Sequence, residues 1–356
     1  MLTKTKIINK TIELGDIPYY IADLAANHDG DIQRAKDLIW RAKEAGADCA
    51  KFQHFLPDKI VNDYEFSRLQ DTKTHQASWK KSVSEIYDQY HFRRDWDSDI
   101  IEECKKAEID FSTTPYDAEA VNAVKDKLDF LKIGSGDISW LDHISLCAET
   151  NLPIIVATGA SNLDDVSRVV NLLKEKKVQY SIMQCNTNYT LESDKHSYTN
   201  IRVLDTYKKL FPQAILGLSD HTLDEISVLA SLPYGVKLIE KHFTDDNFRE
   251  GPDHKFAINP KNWKIMVDKS CKLIECLGDG IKKIEDNEKD AFVVQRRSCV
   301  AAIDIDKNQT INADMVTFLR PCPDNSFHPY EIKELIGKSA KQSIPKGSSI
   351  RRKWVS

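Results

Sequence analysis

The chain has 356 residues, a length that suits about two domains of ordinary size or one barrel with a smaller appendage. Fifty lysines and arginines against 55 aspartates and glutamates give a formal net charge of −5, which excludes the net basic surface of a typical nucleic-acid-binding protein. A hydrophobic fraction of 41% and a charged fraction of 29% are typical of a soluble globular protein with a sizeable core.

The sequence predicts neither a membrane span nor an export signal. No apolar run approaches the roughly 18 residues that a span needs, and residues 1–16 alternate polar and apolar side chains without the apolar core of a signal peptide. Eight cysteines are scattered along the chain and form no Cys-x-x-Cys pair. We therefore expect reduced thiols in a cytoplasmic protein, with no disulfide framework and no zinc knuckle.

The first three quarters of the chain alternate apolar segments with amphipathic helical patterns. Continuous apolar centres are typical of parallel strands that are covered on both faces. One helical pattern covers residues 31–46 and ends at Gly46, and another covers residues 163–177. The predicted strands are 19–25, 49–54, 110–115, 130–135, 153–159, 180–186, 214–221 and 236–243.

Eight such βα units within residues 19–243 match the size of a TIM barrel, so we predict an α/β protein built on a (β/α)8 barrel. A doubly wound open sheet is the alternative, because the pattern alone does not show closure. Residues 55–95 form a long polar and aromatic insertion at a βα loop. We predict a barrel domain at 1–280, a charged linker at 281–295 and a small β-rich domain at 296–356.

Polar side chains stand at the carboxyl end of nearly every predicted strand. In a TIM barrel this rim bears the functional loops, and buried charges are costly unless they are paired, so their accumulation favours an active site over core packing. The strand-end residues that we single out are Asp23, Lys51, Thr114, Lys132, Ser135, Tyr189, Ser219, His221, Glu240 and His242.

His221 and His242 end neighbouring predicted strands and are candidate metal ligands. Two imidazoles with a carboxylate such as Glu240 or Asp23 suit Mn²⁺, Zn²⁺ or Fe²⁺, and the open positions suit a catalytic ion. The alternative is that each imidazole only hydrogen-bonds a backbone carbonyl.

Lys51 and Lys132 are either anion binders or Schiff-base nucleophiles, unless they extend into solvent. The turn at 133–136 adds Ser135 and exposed amides, and Thr114 and Ser219 add hydroxyls. Together these groups suggest a small phosphorylated ligand that also has a carboxylate. After strand eight, Asp253 and His254 lie in a Gly-Pro turn that either contacts a polyol or only shapes the loop.

Several motifs together resemble the sialic acid synthase (N-acetylneuraminate synthase) family. They are ANHDGDIQRAKDLIWRAKEAGADCAKFQ (26–53), KIGSGDI (132–138), GLSDHT (217–222) and IEKHFTDD with GPDHK (239–255). The C-terminal RRS (296–298), TFLRP (317–321) and IGKSAKQSIPKG (336–347) look like the antifreeze-like (SAF) domain of these enzymes.

The resemblance implies a TIM barrel followed by the SAF domain, in a domain-swapped homodimer. It also implies condensation of phosphoenolpyruvate with the open-chain aldehyde of an N-acylated amino sugar. The products are a nine-carbon 2-keto acid and inorganic phosphate, and the implied cofactor is a divalent metal, Mn²⁺ or alternatively Mg²⁺ or Co²⁺.

The resemblance also implies roles for individual residues. His221 and His242 match metal ligands, and Glu240 or Asp23 matches the base that deprotonates water. Arg320 matches an arginine that reaches the partner's active site and contacts the acyl group of the acceptor. The match to phosphoenolpyruvate-binding residues comprises Lys51, Thr114, Lys132, Ser135 and Ser219, and the match to acceptor-side residues comprises Tyr189, Asp253 and Glu240.

The chain departs from the family pattern around the expected acceptor site. Asp23 stands where glutamate is common, the strand-six pattern is CNTNYT (185–190), and Cys322 takes the place of a glycine after Arg320-Pro321. We therefore hypothesise an acceptor other than plain N-acetylmannosamine, such as a di-acylamino sugar. The alternatives are condensation onto a phosphorylated sugar, a Schiff-base pyruvate aldolase, and a non-catalytic carbohydrate- or ice-binding protein.

Overall fold

The computed structural model describes residues 4–6, 13–15, 17–69, 76, 79–189 and 195–356. It divides into two compact units, Met1–Gly278 and Asp279–Ser356. The segment 281–295, which the sequence predicts as a linker, lies in the second unit and includes a short helix, Lys289–Gln295. Among the described residues, no helix is both long and apolar enough to cross a membrane.

The first unit contains a short antiparallel pair, β1 (Lys4–Lys6) and β2 (Glu13–Gly15), and then eight parallel strands. Each of the eight lies within a segment that the sequence predicts, and several are shorter than predicted by a few residues. They are β3 (Tyr19–Asp23), β4 (Cys49–His54), β5 (Asp110–Pro115), β6 (Leu131–Ile133), β7 (Ile154–Ala157), β8 (Tyr180–Cys185), β9 (Ile215–Asp220) and β10 (Leu238–His242).

These strands form a TIM-type barrel. Their hydrogen-bonded order is β5-β4-β3-β10-β9-β8-β7-β6. The ends of this series, β5 and β6, lie side by side, and the Ser112 hydroxyl donates to the Phe130 carbonyl across the seam at 3.4 Å. The predicted barrel is thus confirmed, and the open sheet is not formed.

Helices cover the barrel as the amphipathic patterns predict. Helix α1 (Ile32–Ala45) begins after Asp31, whose carboxylate accepts from two first-turn amides, and it ends at Gly46, which has φ +96°. The barrel-unit helices are α1 (Ile32–Ala45), α2 (Pro57–Ile60), α3 (Asp63–Phe66), α4 (Val83–Tyr90), α5 (Asp97–Lys106), α6 (Ala118–Val124), α7 (Leu141–Ala148), α8 (Leu163–Glu175), α9 (Val203–Leu210), α10 (Ile226–Ser231) and α11 (Pro260–Leu277).

The barrel interior has an apolar floor below its polar rim. Side chains on a strand alternate between its two faces, so residues two or four positions before a rim residue share its side. Ile21 precedes Asp23 in this way, Phe130 precedes Lys132, and Leu238 precedes Glu240. The buried interior cluster consists of Tyr19, Ile21, Cys49, Phe130, Ile155, Met183 and Leu238.

The second unit has its own apolar core. It contains α12 (Lys289–Gln295), the antiparallel pair β11 (Ser298–Ala301) and β12 (Val316–Leu319), and α13 (Ile332–Leu335). Isolated β-bridges connect its remaining segments, in agreement with the predicted β-rich domain. Its core consists of Cys299, Ala301, Ile305, Ile311, Phe327, Leu335, Ala340, Ile344, Ile350 and Val355.

Candidate active site

A polar cavity of about 330 Å³ opens at the carboxyl ends of the barrel strands. Of the site residues predicted from the sequence, the structure brings together in its lining all but Asp253 and Arg320. Those present are Asp23, Lys51, Thr114, Lys132, Ser135, Tyr189, Ser219, His221, Glu240 and His242. Arg320 lies in the second unit, directly after β12, and its role stays a prediction.

Two buried lysines and two buried carboxylates form a charged network in this cavity. The Lys51 Nζ atom lies 2.7 Å from Asp23 Oδ2 and 3.8 Å from Glu240 Oε1, and the Lys132 Nζ atom lies 3.2 Å from the same Glu240 oxygen. Burial lowers the pKa of Lys51, but Asp23 and Glu240 outweigh it, so its pKa is raised above the ordinary value. Lys51 is therefore an ammonium at neutral pH.

Asp23 and Glu240 differ in how many of their carboxylate oxygens have a partner in the protein. Asp23 Oδ1 accepts from the Ala25 amide at 3.1 Å, and Oδ2 accepts from Gln53 at 3.2 Å and contacts Lys51. Glu240 directs Oε1 at the lysines, whereas its buried Oε2 has no hydrogen-bond partner among the described residues. Glu240 thus has an acceptor oxygen available for a ligand or a water molecule.

His221 and His242 lie side by side at the ends of β9 and β10. Their ring centroids are 5.4 Å apart. His221 Nδ1 lies 3.0 Å from the Asn186 carbonyl. A proton on Nδ1 would donate to this carbonyl and leave the lone pair on Nε2 available for a ligand. His242 Nδ1 is buried without a hydrogen-bond partner in the described part of the chain, and burial, reinforced by His221, holds the pKa of His242 well below its ordinary value.

These two imidazoles fit a divalent ion with few protein ligands. His242 has a lowered pKa and a buried Nδ1 without a partner among the described residues, so it is in the neutral form that binds metals. Burial lowers the pKa of His221 too, but Cys185 outweighs it and raises that pKa, so an ion would have to displace a proton from His221. Within the described ranges, no group of three or more His, Cys, Asp or Glu side chains has the arrangement of a metal site. The donors therefore suit a catalytic ion that also takes water and substrate, and they do not suit a closed structural site.

A hydroxyl-lined corner lies beside the lysines. The Gly159 amide donates to Ser135 Oγ at 3.0 Å, and the Lys51 ammonium donates to Thr114 Oγ1 at 3.4 Å. Gly159 was missed by the sequence reasoning, which used it only as the end of a predicted strand. A Cβ at this position would meet Thr187 Oγ1 at 1.8 Å, so the corner requires glycine here.

Cys185 also belongs to this corner, although the sequence indicated only a reduced thiol. Its Sγ lies 3.6 Å from Ser135 Oγ and 3.8 Å from His221 Nδ1. Burial raises the pKa of Cys185, but His221 outweighs it and lowers that pKa to about 7. No sequence motif marks Cys185 as a partner of His221. Their contact becomes visible only in the packed structure.

Asp253 lies in a second cavity of about 70 Å³ next to the first, where its Oδ2 accepts from the Ala26 amide at 3.2 Å. Burial, aided by the charge of Asp23, raises the pKa of Asp253 to about 6. The insertion predicted at 55–95 supplies much of the wall. The aromatic lining is Phe55, Trp79, Tyr87, Tyr90 and Tyr116.

The structure does not bring His254 to either cavity lining, so a polyol contact by His254 finds no support. Its ring is fully buried, with Nδ1 2.7 Å from Thr244 Oγ1 and Nε2 2.8 Å from Asp29 Oδ1. His254 therefore anchors the loop that positions its neighbour Asp253. Tyr189, by contrast, packs its ring on His221 at 4.7 Å between centroids and on Phe256 at 4.8 Å.

A barrel with a charged cleft at its strand ends, joined to a separate small β unit, defines a TIM-barrel enzyme with an appended domain. A model of the NeuB family matches residues 38–282, and a model of the SAF domain matches residues 296–353. The chain belongs to the NeuB family, and the resemblance seen in the sequence is confirmed.

Characterised relatives cover nearly the whole chain. It is 31% identical over 335 residues to N,N'-diacetyllegionaminic acid synthase of Campylobacter jejuni, which covers 93% of this chain and 98% of that protein. It is 28% identical over 341 residues to human N-acetylneuraminate-9-phosphate synthase, with 95% and 92% covered. A crystal structure of N-acetylneuraminic acid synthetase from Leptospira borgpetersenii has the same fold, with a TM-score of 0.69 at 24% identity over 82% of this chain and 95% of that one.

Proposed function

We propose that this protein is a nonulosonic acid synthase that condenses phosphoenolpyruvate with the open-chain aldehyde of an N-acylated amino sugar. Relatives along nearly its whole length are synthases of diacetyllegionaminic acid, pseudaminic acid and N-acetylneuraminate 9-phosphate. The observation that supports the proposal best is the convergence of Lys51 and Lys132 on Glu240, in one cavity with two imidazoles.

Phosphoenolpyruvate has both a phosphate and a carboxylate, and the cavity offers cations and hydroxyls for both. Lys51 and Lys132 would supply the positive charge, and the hydroxyls of Thr114, Ser135 and Ser219 would donate further hydrogen bonds. Because these groups are buried and held by one another, they need little reorganisation when the anion binds.

The reaction balances with water as the only further reactant. The C3 atom of phosphoenolpyruvate attacks the aldehyde carbon, the carbonyl oxygen takes a proton, and an oxocarbenium forms at C2. Water adds to C2 and gives up one proton to a base, and the tetrahedral intermediate then expels inorganic phosphate to leave the 2-keto acid. Most of the catalysis would come from positioning and electrostatics.

We assign the base to Glu240 and not to Asp23. Both oxygens of Asp23 already accept hydrogen bonds or contact Lys51, whereas Glu240 Oε2 has no partner among the residues described. An oxygen without a protein partner, on a side chain that lines the cavity, is what a water-activating base would use. Asp23 would instead keep Lys51 charged and oriented.

His221 and His242 would hold a divalent ion, which we propose to be Mn²⁺, with Mg²⁺ or Co²⁺ as alternatives. When bound, such an ion supplies Lewis-acid polarisation of the aldehyde oxygen. The neutral state of His242 and its unpaired buried nitrogen support this assignment.

The Schiff-base aldolase is disfavoured by the ion pairs. A Schiff-base lysine needs a depressed pKa so that it can attack as a free amine. The pKa of Lys51 is raised, and Lys132 lies 3.2 Å from Glu240.

The acceptor would occupy the second cavity, beside Asp253 and its aromatic wall. Apolar rings favour acyl and methyl groups, so this lining supports a di-acylamino or otherwise modified sugar over plain N-acetylmannosamine. We further propose a cytoplasmic homodimer in which Arg320 completes the site of the partner subunit.

The test is to incubate the full-length protein with phosphoenolpyruvate, Mn²⁺ and each of three acceptors: N-acetylmannosamine, its 6-phosphate and a 6-deoxy diacetamido hexose. We expect phosphate release together with a nine-carbon keto acid by mass spectrometry, fastest with the diacetamido sugar and abolished by EDTA. Highest turnover with N-acetylmannosamine would refute the acceptor hypothesis. Covalent trapping of pyruvate by borohydride, without phosphate release, would refute the synthase itself.

A further inference from the structure

Lys241 lies between two site residues on β10, Glu240 and His242, but on the opposite face of the strand. The alternation of side chains turns Glu240 and His242 toward the cavity and Lys241 away from it. Lys241 is nevertheless only 2% exposed. An ammonium group in such a place requires an explanation, because burial of a charge is costly.

The Lys241 ammonium binds the segment that includes His221. It forms an ion pair with Asp220, its paired neighbour on β9, and it donates to the carbonyls of Thr222 at 2.7 Å and Asp224 at 3.1 Å. Asp220 in turn accepts from the Thr222 amide at 3.1 Å and from the Thr222 hydroxyl at 2.8 Å. The residues on both sides of His221 are therefore fixed by one buried group.

A second buried lysine acts on the same segment. Lys195 Nζ donates to the carbonyl of His221 itself at 3.2 Å. The backbone from residue 220 to residue 224 is thus held through side chains that do not line the main cavity. This arrangement fixes the backbone that bears the imidazole of His221, at the point where the chain leaves β9.

Fold stability alone does not account for the Lys241–Asp220 pair. A buried ion pair typically stabilises a fold no better than apolar residues of similar volume, because desolvation offsets the attraction. The hydrogen bonds of Lys241 do fix the backbone around His221. Loss of a group that orients a metal-binding residue typically lowers metal affinity by about 10- to 100-fold.

We infer that Lys241 is a positioning residue that holds His221 in place to bind a divalent ion together with His242. The inference rests on the metal site of the proposed function. It assigns to the lysine of the IEKHF segment a role that does not involve contact with substrate or ion.

Mn²⁺ alone, titrated into the EDTA-stripped full-length protein and followed by the electron paramagnetic resonance of the free ion, tests this role. We expect Lys241→Met to weaken Mn²⁺ affinity about tenfold or more. The double variant Lys241→Met/Asp220→Asn removes the unpaired buried charge and so protects the fold, but it should bind Mn²⁺ as weakly as the single variant.

Lys127→Met is the control, because Lys127, although more exposed than Lys241, also pairs with a buried carboxylate, Asp97 at 3.0 Å, and neither residue lines the cavity. It should keep wild-type Mn²⁺ affinity. Wild-type affinity in a folded Lys241 variant, or an equal loss in Lys127→Met, would overturn the inference while leaving the metal site intact. Failure of the wild-type protein to bind Mn²⁺ would instead overturn the metal site, and the inference with it.

Discussion

The Lys132 ammonium lies 3.2 Å from Glu240 Oε1, and this oxygen is shared with Lys51 at 3.8 Å. The other oxygen of Glu240 has no protein partner in the described ranges. Glu240 thus contacts two cations, one of which Asp23 also balances, and still has an oxygen without a partner in the described part of the protein. The relationship lets the site hold two ammonium groups in a buried place before an anionic substrate arrives.

Replacement of Lys132 by methionine should lower kcat/KM for phosphoenolpyruvate by about 10²–10³-fold, since a preorganised cation near a developing charge has effects of this size. Steady-state phosphate release with varied phosphoenolpyruvate measures it. Lys127→Met, which removes a lysine from a different buried carboxylate, should stay within about twofold of wild type. Unchanged kinetics in Lys132→Met would contradict the anion site.

Glu240→Gln should lower kcat by about 10²–10⁴-fold, because the proposed base can no longer accept a proton. Asp23→Asn should have the smaller effect on kcat and the larger effect on KM for phosphoenolpyruvate, because Asp23 contacts Lys51 at 2.7 Å. Rate measurements at saturating substrate, with circular dichroism to confirm folding, compare the two. The opposite order of kcat losses would assign the base to Asp23.

The barrel and most of the site could be predicted because their signals are local. Most strands have an apolar centre, and a polar residue near the carboxyl end, such as Glu240 or His242, reaches the rim in any parallel barrel. The alternation of side chains then brings these residues together without further information.

The remaining features depend on packing between distant segments, which spacing does not encode. His254 has a site-like place in the sequence, yet Asp29 and Thr244 bury its ring. The different roles of Asp23 and Glu240 depend on which of their oxygens accept from neighbouring groups such as Ala25, Gln53 and Lys51. The need for Gly159 depends on the position of Thr187. None of these contacts has a periodic signature.

Gly159→Ala should destabilise the fold by about 1–3 kcal/mol, because overpacking forces neighbours out of place. The added Cβ would meet Ser135 Oγ at 2.9 Å and Thr187 Oγ1 at 1.8 Å. Urea unfolding measures the loss, and KM for phosphoenolpyruvate should rise with it. Gly136→Ala is the control for stability, since a Cβ there meets nothing within 4 Å. Equal stability of the two variants would show that the side chains around Gly159 move aside at little energetic cost.

Mixed dimers test the proposed role of Arg320. Arg320→Ala and Lys132→Met homodimers should each be nearly inactive, whereas a heterodimer of the two would contain one site with both residues intact. Co-expression with two affinity tags isolates that heterodimer. It should have about half of the wild-type activity, because one of its two sites is intact. A heterodimer as inactive as its parents would exclude action of Arg320 on the partner subunit.

The buried His28 should make stability fall as the solution becomes acidic. Its ring packs against Phe92 and Trp96, and burial lowers its pKa to about 4 from an ordinary 6.5. Between about pH 4 and pH 6.5 the unfolded chain binds a proton at His28 that the folded chain does not bind. The stabilisation is therefore complete above about pH 6.5 and decreases toward pH 4, by up to about 3 kcal/mol.

Urea unfolding of wild type and His28→Gln at about pH 7 and about pH 4.5 measures this linkage. The Gly30 amide donates to His28 Nδ1 at 3.1 Å, and a glutamine oxygen can accept the same bond. The variant should therefore be less stable at neutral pH but lose less free energy of unfolding on acidification. Parallel pH profiles for wild type and His28→Gln would mean that His28 takes up its proton without unfolding.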